Sequence, residues 1–72
     1  MKRLIHSVPA DDGSKYELFA EFSSILRPQE FKQLVFTGVS TNSSGEETVD
    51  VKGQFFLPPE AVQNLKLLIE SI

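Results

Sequence analysis

The clearest pattern of hydrophobic and polar positions lies near the C-terminal end of the chain. Apolar residues recur there at helical spacing, namely Ala61, Val62, Leu65, Leu68, Ile69 and Ile72. Residues 58–60, Pro-Pro-Glu, come just before. Proline is favoured in the first turn of a helix, where an acidic side chain also complements the helix dipole. The pattern predicts an amphipathic helix that buries Leu65, Leu68 and Ile69 against a sheet.

A tight turn is predicted at Asn42 to Gly45. Asparagine at the first position and glycine at the fourth are typical of a type I turn closed by a left-handed glycine. Such a three-residue loop fixes the register of the two strands that it joins. The expected pairs are Val39 with Val49, Thr37 with Val51, Val35 with Gly53 and Gln33 with Phe55.

This register divides the predicted hairpin into two faces, because side chains alternate along a strand. We expect one face, under the helix, to carry Val35, Val39, Val49, Val51 and Phe55. The other face then carries Leu34, Phe36, Lys52, Gln54 and Phe56.

The first half of the chain is more ambiguous. Residues 2–8 have a strand pattern, and Asp11-Asp12-Gly13 is a turn signal. Residues 15–22 alternate as a strand does, but Ser14 and Glu17 also form a capping box for a helix over residues 14–26. The aspartate-glycine turn and the aromatic content favour the strand, with residues 27–32 as a connection. The predicted fold is α+β: a four-stranded antiparallel β-meander with the C-terminal amphipathic helix packed on one face, the alternative being β-α-β-β-α.

Length and composition limit the stability that the fold can reach. The 72 residues predict a single domain over 1–72, and a core of this size rarely supplies more than about 3–5 kcal/mol of stability. The chain has no cysteine and one histidine, so disulfides and thiolate metal sites are excluded. A homodimer or higher oligomer is therefore the expected source of additional stability.

Charge and hydropathy also limit the partners and the compartment that we expect for the protein. The net charge of -3 disfavours nucleic acid as a partner, since nucleic-acid-binding domains usually carry a basic face. The sequence contains neither an apolar run long enough for a membrane span nor the apolar core of a signal peptide. We therefore expect a cytoplasmic protein with no membrane partner.

Candidate chemistry is sparse along the chain. His6 has no nearby acid or second ligand in sequence, and residues 11–14 lack the alternating ligands of a calcium loop. Asn42-Ser43-Ser44 matches a glycosylation acceptor, but no secretory signal accompanies it. The acidic residues Glu46, Glu47 and Asp50 have the composition of a solvated hairpin tip. We expect no catalytic, metal-binding or cofactor-binding residues, and no enzymatic activity.

The remaining functional signal is aromatic. The predicted strands place Phe19 with Phe36 and Phe56 on the face away from the helix, with Leu34 and Lys52 nearby, and exposed aromatic patches commonly mark interfaces. These five residues are the expected interface of a non-catalytic protein-protein interaction module. Its oligomeric, α+β character would fit a small bacterial or phage regulator or inhibitor. The alternative is a small-ligand-binding domain with a pocket between sheet and helix or at a subunit boundary, where Gly38 and Gly53 would leave room.

Overall fold

The computed structural model describes residues 2–24 and 31–72, and it shows an antiparallel sheet followed by a helix. Strands β1 (Lys2–Pro9), β2 (Lys15–Ser24), β3 (Lys32–Thr41) and β4 (Glu47–Leu57) lie in chain order across the sheet, and helix α1 (Pro59–Glu70) follows β4. The predicted α+β meander is confirmed. The helical alternative is wrong where it overlaps β2, and the rest of that segment, with most of the predicted connection, lies outside the described residues.

The second strand forms because its alternation finds matching neighbours on β3. Ala20 lies opposite Phe36 and Phe22 opposite Leu34, while the acidic Glu21 lies opposite Val35. Pairing of this kind along ten residues outweighs a capping box, which stabilises only the first turn of a helix.

The turn from β3 to β4 has the predicted chemistry. The backbone N–H of Gly45 donates to the carbonyl oxygen of Asn42 at 2.9 Å, and Gly45 has φ 90°. Oδ1 of Asn42 accepts the N–H groups of Ser44 and Glu46, each at 3.0 Å. The β1–β2 turn is built in the same way, with Gly13 at φ 90° and Oδ1 of Asp12 accepting the N–H of Ser14 at 2.9 Å.

The left-handed conformation at Gly45 leads to a testable expectation. Gly45→Val should lower the free energy of unfolding by about 1–2 kcal/mol, because a β-branched residue is strained at positive φ. Gly45→Asn is the matched control and should cost less, since asparagine tolerates this region. Chemical denaturation followed by circular dichroism measures both. Equal losses for the two variants would contradict the explanation.

The predicted register holds only near this turn. Val39 lies opposite Val49 and Thr37 opposite Val51, but Phe36 then lies opposite Gly53. Lys52 is therefore the extra residue of a β-bulge, and the predicted pairs Val35 with Gly53 and Gln33 with Phe55 are wrong. Strand β1 has a similar irregularity at Ile5, between Leu4 and His6.

The bulge changes which residues share a face, because one extra residue reverses the alternation beyond it. Phe55 lies opposite Leu34, so it leaves the valine face on which it was predicted. Val35, Val39, Val49 and Val51 share a face with Phe19 and Phe56 instead. We call this the outer face, because the helix lies on the other side of the sheet, and the prediction that the valines support the helix is wrong.

The helix contacts the sheet sparsely. It begins directly after β4, with Pro58 as its N-cap and Pro59 in the first turn, and its contacts with the sheet are concentrated on β4. Ala61, Val62 and Leu65 are half-buried, whereas Leu68 is 63% exposed and Ile69 61% exposed. The prediction that Leu68 and Ile69 are buried within the single chain is therefore wrong.

The resulting chain is extended rather than compact. Among the described apolar side chains, Leu34 and Val39 are the buried ones, at 7% and 8% exposure. The radius of gyration is 15.1 Å, against about 11 Å for a compact chain of this length. Burial within one copy is thus low for a folded domain.

Candidate functional site: an apolar groove between sheet and helix

An apolar groove of about 780 Å³ separates the helix from the sheet. Its residues, which we call the groove, are Ile5, Ala20, Phe22, Leu34, Phe36, Phe55, Leu57, Ala61, Asn64, Leu65, Leu68 and Ile69. Asn64 is the one polar member of this set, and no member is charged.

The pairing register of the strands determines which residues form the floor of the groove. Ala20 and Phe36 pair across β2 and β3, as do Phe22 and Leu34, and Leu34 also lies opposite Phe55. The bulge in β4 supplies Phe55, because without it this ring would point to the outer face. Ile5, the irregular residue of β1, extends the floor to the far edge strand.

The helix forms the wall of the groove. Leu65 is half-buried at the junction with the floor, while Leu68 and Ile69, one turn further on, stand at the open side. Two charged residues of the same helix, Lys66 and Glu70, line a smaller adjoining groove that shares Phe22, Leu65 and Ile69 with the first. The wall therefore has an apolar edge with one charge of each sign beside it.

The two strand glycines do not leave the free space that was expected of them. A Cβ atom on Gly38 would lie 2.7 Å from Oη of Tyr16 and 2.9 Å from Cε of Lys52. At Gly53 it would lie 3.1 Å from Cε2 of Phe55. Both positions are filled by side chains of the chain itself, so the ligand space that exists is the groove.

The outer face is also partly apolar. Its exposed large apolar side chains are Leu4, Val49, Val51 and Phe56. Phe19 is half-buried there, with Nζ of Lys2 5.0 Å from the centre of its ring. Glu17 and Lys15 add an ion pair at 3.6 Å, so this face mixes charges with apolar groups.

The five residues of the predicted interface are thus divided between the two faces. Phe19 and Phe56 lie on the outer face, whereas Leu34 and Phe36 form the floor of the groove. Lys52 lies in the bulge, beside Gly38 on the groove side of the sheet, and its Nζ is 2.8 Å from Oδ2 of Asp50. The predicted placement of all five on one face is wrong, and their role in an interface stays a prediction.

The displaced pKa values have local causes, one in the β1–β2 turn and one at the bulge of β4. Hydrogen bonds from the side chain and backbone of Ser14 lower the pKa of Asp12. A hydrogen bond to Asp50, with the charge of that carboxylate, raises the pKa of Lys52. His6 is exposed on β1 opposite Leu18. In residues 2–24 and 31–72, no three His, Asp or Glu side chains are grouped to hold a metal ion.

Sequence reasoning missed the residues that build the groove from β1, β2 and β4. Ile5, Phe22 and Leu57 were not singled out, and Phe55 was placed with the valines because the assumed register continued without interruption. The available signal was Gly53 after the polar Lys52, since glycine inside a strand pattern often marks a bulge.

Comparison with known proteins gives the chain no relatives: no family model, curated protein or solved structure matches it. Within the described part of the chain, no helix is long and apolar enough to cross a membrane.

Proposed function

We propose that this chain is a non-catalytic protein-protein interaction module whose working form is an assembly of copies. The observation that carries the proposal is the apolar surface that one copy leaves uncovered. The accessible surface of the chain is 5679 Å², whereas a compact monomer of 8.1 kDa exposes roughly 4,500 Å². The exposed large apolar side chains include Phe22, Phe55, Leu68 and Ile69 beside the groove, and large apolar patches mark association sites on soluble proteins.

The chemistry of the exposed surface supports binding rather than catalysis. Both faces expose phenylalanine, leucine or valine side chains, which have no group that transfers a proton or attacks a substrate. Aromatic residues are enriched at the centres of protein interfaces. We propose the cytoplasm as its compartment, since a chain without cysteine needs no oxidising environment in order to fold.

A second candidate function is binding of a small apolar ligand. The groove volume of about 780 Å³ falls in the range of small-molecule pockets. Its lining is apolar, with Asn64 as a polar group that would orient a ligand. The groove is open on one side, which argues against this candidate, because ligand pockets enclose most of the ligand surface.

The molar mass in solution tests the proposed function. Light scattering on the purified chain should give at least twice 8.1 kDa at high concentration, with dissociation on dilution. A mass of one chain at every concentration contradicts self-association. Titration of that monomer with a fluorescent apolar probe then examines the second candidate, for which saturable binding at one site is expected.

A further inference from the structure

We propose that the groove is the contact between copies, and that each copy inserts the exposed edge of its helix, Leu68 and Ile69, into the groove of the other. This inference rests on the proposed function, because it assumes that copies associate. It goes further in naming which of the two apolar faces is shared and which residues fill it.

The lining of the groove determines the chemistry of its occupant. Among the residues that the structure describes, no charged side chain lines it, so a charged or strongly polar segment would lose its hydration without gaining a partner. Leu34, Phe36 and Phe55 form a floor that gains most from aliphatic side chains. The occupant must therefore present a row of apolar groups with little charge.

The chain itself carries such a row next to the groove. Leu68 and Ile69 are 63% and 61% exposed within one copy, and Ile72 beyond them is fully exposed. The row and the groove lie on the same side of the molecule, because these helix residues form the groove wall. A surface with a ridge beside a groove is self-complementary under a two-fold axis, which is the symmetry of most homodimers.

The area of the uncovered surface agrees with this arrangement. The surface of one copy exceeds that of a compact monomer of its mass by about 1,200 Å². A standard stable interface covers about 800 Å² on each partner, and obligate dimers cover more. A small molecule in the groove would cover the floor but leave the outer edge of the helix exposed to water.

The charged residues beside the groove are also compatible with two copies that meet through this face. Lys66 and Glu70 are four residues apart on the helix and line the adjoining groove. When two copies meet through this face, each copy brings one positive and one negative charge, so like charges do not dominate the rim. The outer face has its own charges, including Glu17 and Lys15, beside its apolar groups.

Leu67 and Leu68 provide a matched pair of variants. They are neighbours on the helix, and within one copy they are 53% and 63% exposed, so Leu67→Glu and Leu68→Glu should affect an isolated copy similarly. Leu68 lines the groove and Leu67 lines none of the grooves described above. Sedimentation equilibrium should show Leu68→Glu weakening self-association at least about 100-fold, as for a central interface residue, and Leu67→Glu weakening it less than about tenfold.

A second measurement places no new charge on the helix. The chain has no cysteine, so Asn64→Cys in the groove and Leu67→Cys outside it each provide a single thiol. In the assembled protein a thiol reagent should react slowly with Asn64→Cys and quickly with Leu67→Cys, and dilution to single copies should remove the difference.

The outcomes separate this inference from the proposed function. In one outcome the parent assembles, Leu68→Glu associates as tightly as Leu67→Glu, and the Asn64→Cys thiol reacts freely. This outcome overturns the groove contact but leaves self-association in place. A parent that is a single copy at every concentration overturns both. Slow reaction at Asn64→Cys in the assembly, with dissociation by Leu68→Glu, supports the insertion of each helix edge into the groove of the other copy.

Discussion

Leu34→Ala should lower the free energy of unfolding by about 2–4 kcal/mol. Leu34 is 7% exposed, and it lies between Phe22 and Phe55 in the sheet register. Truncation removes contacts with both rings and leaves a cavity that neighbouring strands cannot close without breaking their pairing. Because little else in the described part of the chain is buried, a loss of this size is a large share of the total stability.

Leu67→Ala is the matched control for this prediction. Leu67 is half exposed on the helix and lines none of the grooves described above, so its truncation should cost less than about 1 kcal/mol. Urea denaturation followed by circular dichroism, at one protein concentration for all samples, gives the two differences. Comparable losses for the two variants would show that the sheet has no localised core at Leu34.

The local parts of this fold follow from local sequence. Asn42 and Gly45 determine the β3–β4 turn, because an asparagine side chain accepts the turn amides and glycine takes the positive φ. The helix starts at Pro59 for an equally local reason, namely the fixed φ and the missing N–H of proline. These features depend on few residues and were predicted correctly.

The candidate site could not be predicted in the same way, since it depends on one extra residue in β4. The bulge at Lys52 reverses the alternation of the β4 residues that follow it. A correctly predicted turn therefore still assigns the residues after Val51 to the wrong sheet face. The position of the helix then follows Phe55 and Leu57 rather than the valines. Alternation alone cannot locate such a bulge, because both of the resulting faces are apolar.

The apolar content of both faces has a physical consequence for folding. Among the described residues, one loosely packed helix lies over the groove side of the sheet and no element covers the outer face, whereas stable domains bury each sheet face that is apolar. If copies supply the missing layer, folding and association are coupled, and the apparent stability rises with protein concentration. The separate chain is then expected to be marginally stable, as its low burial already indicates.

Phe36→Glu and Phe56→Glu form the pair of variants that decides which face is shared. The same substitution is made at two phenylalanines on adjacent strands, one in the floor of the groove and one on the outer face. A carboxylate on the floor would be enclosed by the second copy with no cation among the groove residues. An unpaired buried charge costs about 3–5 kcal/mol, so self-association should weaken roughly 150- to 4,000-fold for Phe36→Glu.

Phe56→Glu should leave association close to that of the parent, because this ring is 61% exposed on the outer face and a carboxylate there stays hydrated. Light scattering over a dilution series measures both variants, and circular dichroism confirms that each retains its helix. Since Phe36 is half-buried in one copy, Phe36→Leu serves as the control for lost packing and should remain assembled. Dissociation by Phe56→Glu with an assembled Phe36→Glu would assign the shared face to the valines and Phe19, and the groove would then face solvent or a different partner.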